Sequence, residues 1–211
     1  MYFSNRKQIF FISLACLLGH STIVQATVGG GQNIVILGYE PKDKKIYVLR
    51  DFEDARGRTP QLYYYDLKAN DPSKLIEVKS IYINPQSGKV DHDNRWNEVS
   101  RSIAQIKQRL QPLNPLPAIH LNIKSTQKIN SVSSWHNPDE KMRQYQYNYT
   151  IVGGNLTSKP QHAISYKAGI DIQQVYKVPY EDKVLVTVKY LAFPEETGYT
   201  TEDVVMLQPY Q

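Results

Sequence analysis

The chain has 211 residues with one cysteine, 16 tyrosines and five phenylalanines, and its formal net charge is +5. A chain of this length can bury a substantial core in one domain or two small ones, and a single cysteine excludes an internal disulfide. Its basic residues are spread along the sequence without a block. This pattern excludes the clustered cationic face that is typical of nucleic-acid-binding proteins.

The first 26 residues have the layout of a secretory signal peptide. Arg6 and Lys7 provide a positive start, residues 9–18 form an apolar run of ten, and Val24-Gln25-Ala26 provides a cleavage site. A membrane-spanning helix would need about 20 apolar residues, so the segment is too short to cross a bilayer. We therefore expect cleavage after Ala26, export of the remainder and no transmembrane span.

The mature chain would lack cysteine altogether. Cys16 leaves with the signal peptide, and the residues that precede it fit a lipoprotein cleavage box poorly, so lipidation is not expected. An exported eukaryotic protein of this size would usually carry disulfides. The sequence therefore favours a bacterial protein that is periplasmic or secreted.

Four short strands are predicted in the first part of the mature chain. Their residues alternate between apolar or aromatic and polar side chains, and turn sequences rich in Pro, Gly, Asn and Asp separate them. Tyrosine suits such half-buried strands because its ring can be buried while its hydroxyl reaches water. The predicted strands are residues 33–39, 45–52, 61–67 and 75–83.

One amphipathic helix is predicted over residues 94–110. Apolar side chains recur at intervals of three and four residues, which places them on one face of a helix. Asp93 or Asn94 can cap its start, and Pro112 follows its end. We expect the helix to lie on the sheet with Trp96 as its largest anchor. The stripe consists of Trp96, Val99, Ile103, Ile106 and Leu110.

Further strands are predicted in the rest of the chain, at residues 118–124, 143–152, 163–167, 170–178, 183–193 and 199–207. The fold class is therefore mainly β (α+β), with antiparallel meanders and one helix packed on a sheet. We expect a single β-rich domain over residues 27–211. Within it, sub-sheets from residues 33–83 and 163–207 would be joined by the helix and the strands of residues 118–152. Similar turns and strands in the two meanders suggest a diverged internal repeat, which is a hypothesis only.

The sequence has no catalytic motif in the structural context that the motif requires, and no Ser-x-x-Lys stands at a predicted helix start. It has no Gly-x-Ser-x-Gly elbow and no cysteine nucleophile after residue 26, so no catalytic residue is assigned. Histidines and acids cluster at residues 91–93 and 136–140, but without the helical His spacing that is typical of metal sites. We expect no metal and no cofactor.

The loop of residues 51–60 is the predicted recognition surface. It combines acids with arginines between two well-defined strands, and such loops often carry binding residues. The candidate binding residues are Arg56, Arg58, Tyr63 and Tyr65.

Two classes of function remain open from the sequence. The first is a non-enzymatic exported module that binds a protein or glycan of the cell envelope. The alternative is an envelope hydrolase whose acids and histidines converge only in three dimensions. The hydrolase would need His92, His120 or His136 within hydrogen-bond reach of a carboxylate in a concave pocket.

Overall fold

The computed structural model describes residues 30–53, 58–93, 95–118, 120–134, 136–193 and 198–210. The predicted signal peptide, residues 1–26, lies outside these ranges. The described strands are β1 (Gly31–Glu40), β2 (Lys45–Glu53), β3 (Gln61–Asp66), β4 (Leu75–Glu77), β5 (Asn114–Leu116), β6 (Asn122–Ser133), β7 (Lys141–Gly153), β8 (Leu156–Ser158), β9 (Gln161–Ser165), β10 (Asp171–Lys177), β11 (Val184–Leu191) and β12 (Thr200–Pro209). Helix α1 spans Trp96–Lys107.

One mixed sheet contains all of these strands. Its main path runs β4-β3-β2-β1-β12-β11-β10-β5, and β6, β7, β8 and β9 form a branch that joins β12 through β8. Strands β1 to β4 form one antiparallel meander and β10 to β12 form another. The two meanders meet where β1 runs parallel to β12. The predicted fold class, mainly β with one helix on a sheet, is confirmed.

The sheet curls, and side chains on both of its faces are buried in hydrophobic cores. One core lies between the two meanders and includes the buried residues Ile46, Val48, Leu185, Val204 and Met206. A second core lies between the β6-β7-β9 branch and strands β10 to β12. Adjacent residues of β12 therefore enter different cores, as alternation along a strand requires. Val205 and Leu207 belong to the second core.

Helix α1 covers the opposite face of β2 and β3. Val99 and Ile103 are buried there against Tyr47, Leu62 and Tyr82. The predicted helix is thus confirmed, and its bounds are shorter than residues 94–110.

The proposed role of Trp96 as the helix's main anchor is wrong. Trp96 is the first residue of α1 and 50% of its surface is exposed. The apolar stripe therefore reaches the sheet one turn later, at Val99 and Ile103. The helix begins after Arg95, which makes no side-chain cap hydrogen bond. Asn94, one of the two predicted caps, lies outside the described residues.

The strand predicted at residues 75–83 is also wrong in its second half. Pairing ends at Glu77, and Lys79–Tyr82 forms a 3₁₀ helix. This turn buries Tyr82, whose hydroxyl donates to the Pro60 carbonyl at 2.6 Å and accepts from the Leu62 amide at 2.7 Å. The hydrogen bonds of this tyrosine connect the turn to the start of β3, which alternation of residue types alone does not predict.

Candidate ligand-binding cleft

The seam between β1 and β12 is interrupted. One side of β12 pairs with β11 continuously from Thr200 to Leu207. On its other side β12 pairs with β1 only at Thr201, and with β8 only from Leu207 onward. Residues 202–206 therefore have no strand partner on that side within the described part of the chain.

Side chains hold the seam together where main-chain pairing stops. The Ile34 amide donates to the Glu202 carboxylate at 3.0 Å, and the Gln32 side chain donates to the Glu202 carbonyl at 2.9 Å. Lys189 lies 3.5 Å from the same carboxylate. The Glu202 carboxylate thus takes the place of a main-chain carbonyl as the acceptor for the Ile34 amide. This allows β1 to turn away from β12.

A cleft of about 310 Å³ opens beside this gap. It lies between β2, β3 and β4 on one side and β9 and β12 on the other. Its polar lining residues are Arg50, Ser73, Gln161, His162 and Asp203. Its apolar and aromatic lining residues are Tyr65, Leu75, Val204, Val205 and Met206.

An ion pair lies in the cleft wall. Arg50 Nη2 is 3.4 Å from Asp203 Oδ1, and the Tyr190 hydroxyl donates to Asp203 Oδ2 at 2.7 Å. Burial, followed by the neighbouring Asp203 charge, raises the pKa of Tyr190. Tyr190 therefore stays protonated and acts as a fixed donor to the aspartate. The opposite charges of Arg50 and Asp203 cancel, so the cleft is polar without a net charge from this pair.

Arg50 retains an unused hydrogen-bond donor. Its Nε is buried and has no hydrogen-bond partner among the described residues. The guanidinium carbon lies 5.3 Å from the ring centre of Tyr63, a cation-π distance. A buried donor without a partner is costly.

Of the predicted binding residues, Tyr65 lines the cleft and Tyr63 contacts the lining residue Arg50. Tyr65 lines the cleft, is 1% exposed, and donates through its hydroxyl to the Val204 carbonyl at 2.9 Å. Tyr63 supports Arg50 from the adjacent strand. Tyr65 is therefore part of the cleft wall and not of an exposed surface.

The predicted arginines lie elsewhere. Arg58 is half-buried and stacks on Phe52 at 4.5 Å, two residues beyond Arg50 on β2. Arg56 lies outside the described residues. The structure therefore brings one of the four predicted residues, Tyr65, into the cleft lining and places Tyr63 against Arg50. The recognition role of all four remains a prediction.

A polar bridge connects the loop after β3 to the chain before β9. Lys159 Nζ lies 2.7 Å from Asp71 Oδ2, and Ser73 donates its hydroxyl to Asp71 Oδ1 at 2.6 Å. Hydrogen bonds from Lys159 and Ser73 hold the pKa of Asp71 below its usual range. The same bridge lines a second cavity of about 380 Å³. That cavity is formed largely by loops, which position binding groups less accurately than strands do.

His92 has a carboxylate within hydrogen-bond reach. Its Nε2 lies 3.1 Å from Glu77 Oε1, and its ring lies against Tyr82 with the ring centres 4.7 Å apart. His92 Nδ1 and Thr59 Oγ1 are buried without hydrogen-bond partners in the described part of the chain. His92 does not line the cleft.

His136 forms a chain of contacts with a serine and a glutamate. Ser134 Oγ lies 2.7 Å from Nδ1 and Glu140 Oε2 lies 3.5 Å from Nε2. A nucleophile must reach its substrate, but Ser134 is 4% exposed. The Ser134 amide also donates to the Glu140 carbonyl at 2.8 Å, which closes the turn between β6 and β7. These contacts therefore stabilise the turn between β6 and β7. His120 is exposed and forms no ion pair within the described ranges.

Comparison with family models, curated proteins and solved structures finds no match for this chain. No helix among the described residues has the length and apolar character needed to cross a membrane. The same residues contain no cluster of three or more His, Cys, Asp or Glu side chains that could hold a metal ion. What the cleft can do must therefore be inferred from its own chemistry.

Sequence reasoning missed the polar residues that define the cleft. Arg50, Gln161, His162 and Asp203 come from β2, β9 and β12, which are distant in sequence. None of them belongs to a recognisable motif, and a single polar residue in a strand does not differ locally from a solvent-facing one. The only usable signal was Arg50 directly before the predicted loop of residues 51–60.

Proposed function

We propose that this chain is a non-catalytic binding protein whose cleft accepts a neutral saccharide unit of the cell envelope. The observation that carries the proposal is the interrupted β1–β12 seam, where paired but incompletely bonded polar groups line a preformed cleft. Preformed concave sites with a few convergent polar groups are the usual location of small-ligand binding.

The mixture of donors and acceptors supports a polyhydroxylated ligand. Each sugar hydroxyl both donates and accepts hydrogen bonds, so it can bond an arginine and an aspartate that lie side by side. Gln161, His162 and Ser73 also offer groups that can donate or accept. An anion would gain little, because Asp203 already neutralises Arg50 and would repel it.

An apolar side chain and the size of the cleft also suit a sugar. Leu75 is only partly buried and can contact the C–H face of a sugar ring, while the polar residues bind its edge. A volume of about 310 Å³ is at the lower end of the range of small-molecule sites. The ligand is therefore a single unit or the end of a glycan chain.

The alternative of an envelope hydrolase has less support. That hypothesis required a histidine–carboxylate pair in a concave pocket, and such pairs exist at His92 and His136. Neither pair lines the cleft, and the serine beside His136 is buried. A hydrolase site would need an accessible nucleophile or water beside its general base.

Export to the periplasm or the cell exterior is part of the proposal. It is supported by the charged start, the apolar run and the Val24-Gln25-Ala26 site in the sequence. Mass spectrometry of the exported protein should give Thr27 as the first residue. Recovery of the intact chain from the cytoplasm would contradict this placement.

Screening the mature chain against an array of bacterial envelope saccharides tests the proposal. The double variant Gln161→Ala/His162→Ala should weaken binding of any hit about tenfold or more, equivalent to about 1.4 kcal/mol. The matched control is His120→Ala/Gln127→Ala, which changes the same residue types outside the cleft. Equal affinity of the two double variants for the hit, or no hit at all, would contradict the proposal.

A further inference from the structure

The outer edge of β6 is long and regular, and it carries no main-chain partner among the described strands. β6 pairs with β7 over twelve residues, from Asn122–Val152 to Ser133–Lys141, without a register shift. Its other side pairs with no described strand. Such an edge can accept a further strand.

The other ends of the sheet differ from β6. The two ends of the main path, β4 and β5, have three residues each, and β5 contains Pro115. Short strands and proline are common protections against unwanted strand pairing. β6 has neither proline nor a bulge, and most of its residues are exposed. This contrast within one sheet indicates an edge that is kept available for a partner.

The hydrogen bonds identify which residues face outward. The Ser134 amide donates to Glu140 on the β7 side, whereas the Ile151 amide points away from β6 and donates to Ser158 Oγ at 2.9 Å. Main-chain groups alternate in direction along an antiparallel pair. The odd-numbered residues of β6 therefore direct their N–H and C=O groups to the free edge: Ile123, Ser125, Gln127, Ile129, Ser131 and Ser133.

The charged side chains within the β6–β7 pair are all basic. β6 and β7 contain Lys124, Lys128, Lys141 and Arg143 and no acidic residue; Asp139 and Glu140 lie in the turn between them. Lys124 and Lys128 are exposed, share one face of β6, and form no ion pair in the described part of the chain. Ile129 is 54% exposed on the opposite face.

We propose that β6 binds an extended acidic segment of another protein by strand addition. Acidic side chains four residues apart would lie beside Lys124 and Lys128, and an apolar side chain on the other face would contact Ile129. A second copy of β6 is disfavoured, because it would bring its own two lysines into the same seam. This interaction is separate from the saccharide cleft, which is formed by other strands.

Synthetic ten-residue peptides provide the test. One peptide has alternating Thr and Val, with Glu replacing two Thr residues four positions apart, and a second has Lys in place of Glu. The wild-type chain should bind the Glu peptide at least about tenfold more tightly than the Lys peptide. The Lys124→Glu/Lys128→Glu variant should reverse that order. The control variant Lys74→Glu/Lys79→Glu, which reverses two exposed lysines elsewhere, should behave as wild type.

Amide hydrogen exchange gives a readout that surface charge alone would not change. In the free protein, even-numbered amides of β6 should be protected and odd-numbered amides should exchange rapidly. The Glu peptide should protect the amides of Ser125, Gln127 and Ile129. Gln127→Pro removes an outward donor and should abolish binding, whereas Gln127→Ala should retain it.

Three results would overturn the inference. The first is equal affinity for the Glu and Lys peptides, or no binding of either. The second is peptide binding without new protection of the odd-numbered amides. The third is a dimer in sedimentation analysis whose odd-numbered amides are already protected, which would assign the edge to a second copy of the chain.

Discussion

The hydroxyl of Tyr65 donates a 2.9 Å hydrogen bond to the main-chain carbonyl of Val204, although β2 and β1 lie between their strands in the sheet. The bond can form only because the sheet curls and brings β3 opposite β12. It satisfies one of the carbonyl groups in the interrupted part of β12. The same curl places Arg50 beside Asp203 and so creates the cleft.

Tyr65→Phe should destabilise the fold without changing its shape. The variant removes a buried hydrogen bond and leaves the Val204 carbonyl without that partner, which should cost about 1–3 kcal/mol. Urea denaturation measures the loss. Tyr64→Phe is the matched control, because its side chain lies on the opposite face of the same strand. A loss for Tyr65→Phe no larger than for Tyr64→Phe would contradict the role assigned to this bond.

The helix should depend on Ile103 and not on Trp96. Ile103 is 5% exposed, so Ile103→Ala should cost about 2–5 kcal/mol through lost burial and a cavity. Trp96→Ala should cost about 1 kcal/mol or less, because half of its surface is exposed and surface changes are usually mild. Thermal melts of both variants compare the two sites. A larger effect of Trp96→Ala would show that the helix packs differently.

Gly38 should tolerate no side chain. Its φ is +142°, and a Cβ there would lie 2.6 Å from the Gln111 carbonyl oxygen, which accepts from the Tyr39 amide. Gly38→Ala should therefore cost about 2–4 kcal/mol, since it combines backbone strain with a clash. Gly154 also has a positive φ of +57°, but a Cβ at that position would have no atom within 4 Å. Gly154→Ala should cost only about 1–2 kcal/mol, and equal losses in denaturation would refute the contact at Gly38.

Glu181 connects the turns that follow β1 and β10. It lies 2.7 Å from Lys183 and 3.5 Å from Lys44, and the hydrogen bond from Lys183 holds its pKa below the usual value of 4.5. A lowered folded-state pKa stabilises the fold above the unfolded-state value, and this contribution is lost as the pH falls through the folded-state pKa.

Glu181→Gln should therefore lower the free energy of unfolding at pH 7 by about 0.5–1 kcal/mol. The difference from wild type should close as the pH falls below 4.5. Urea denaturation over a pH series measures this, and a double-mutant cycle with Lys183→Met isolates the pair. A difference that persists unchanged at pH 3 would mean that the side chain acts through packing and not through charge.

Local sequence patterns predicted most of the strands and the helix but few of the residues that line the cleft. The strand pattern predicted β2 and β3 closely because their apolar and aromatic side chains pack on both faces, in the core between the meanders and under the helix. The stripe at Val99 and Ile103 predicted the helix. The strand pattern failed at residues 79–82, where the hydrogen bonds of Tyr82 favour a turn. The seam between β1 and β12 depends on Glu202 replacing a main-chain partner, which no local pattern encodes. Arg50 and Asp203 meet only after the sheet has curled.

The Nε–H signal of Arg50 in a nitrogen-15 NMR spectrum tests the proposed cleft most directly. In the free protein this donor has no partner among the described residues. Titration with a saccharide from the array should shift this signal, because the ligand changes the surroundings of the guanidinium, and should perturb His162 in parallel. Saturable saccharide binding that leaves Arg50 and His162 unchanged, with shifts at another surface, would contradict the account.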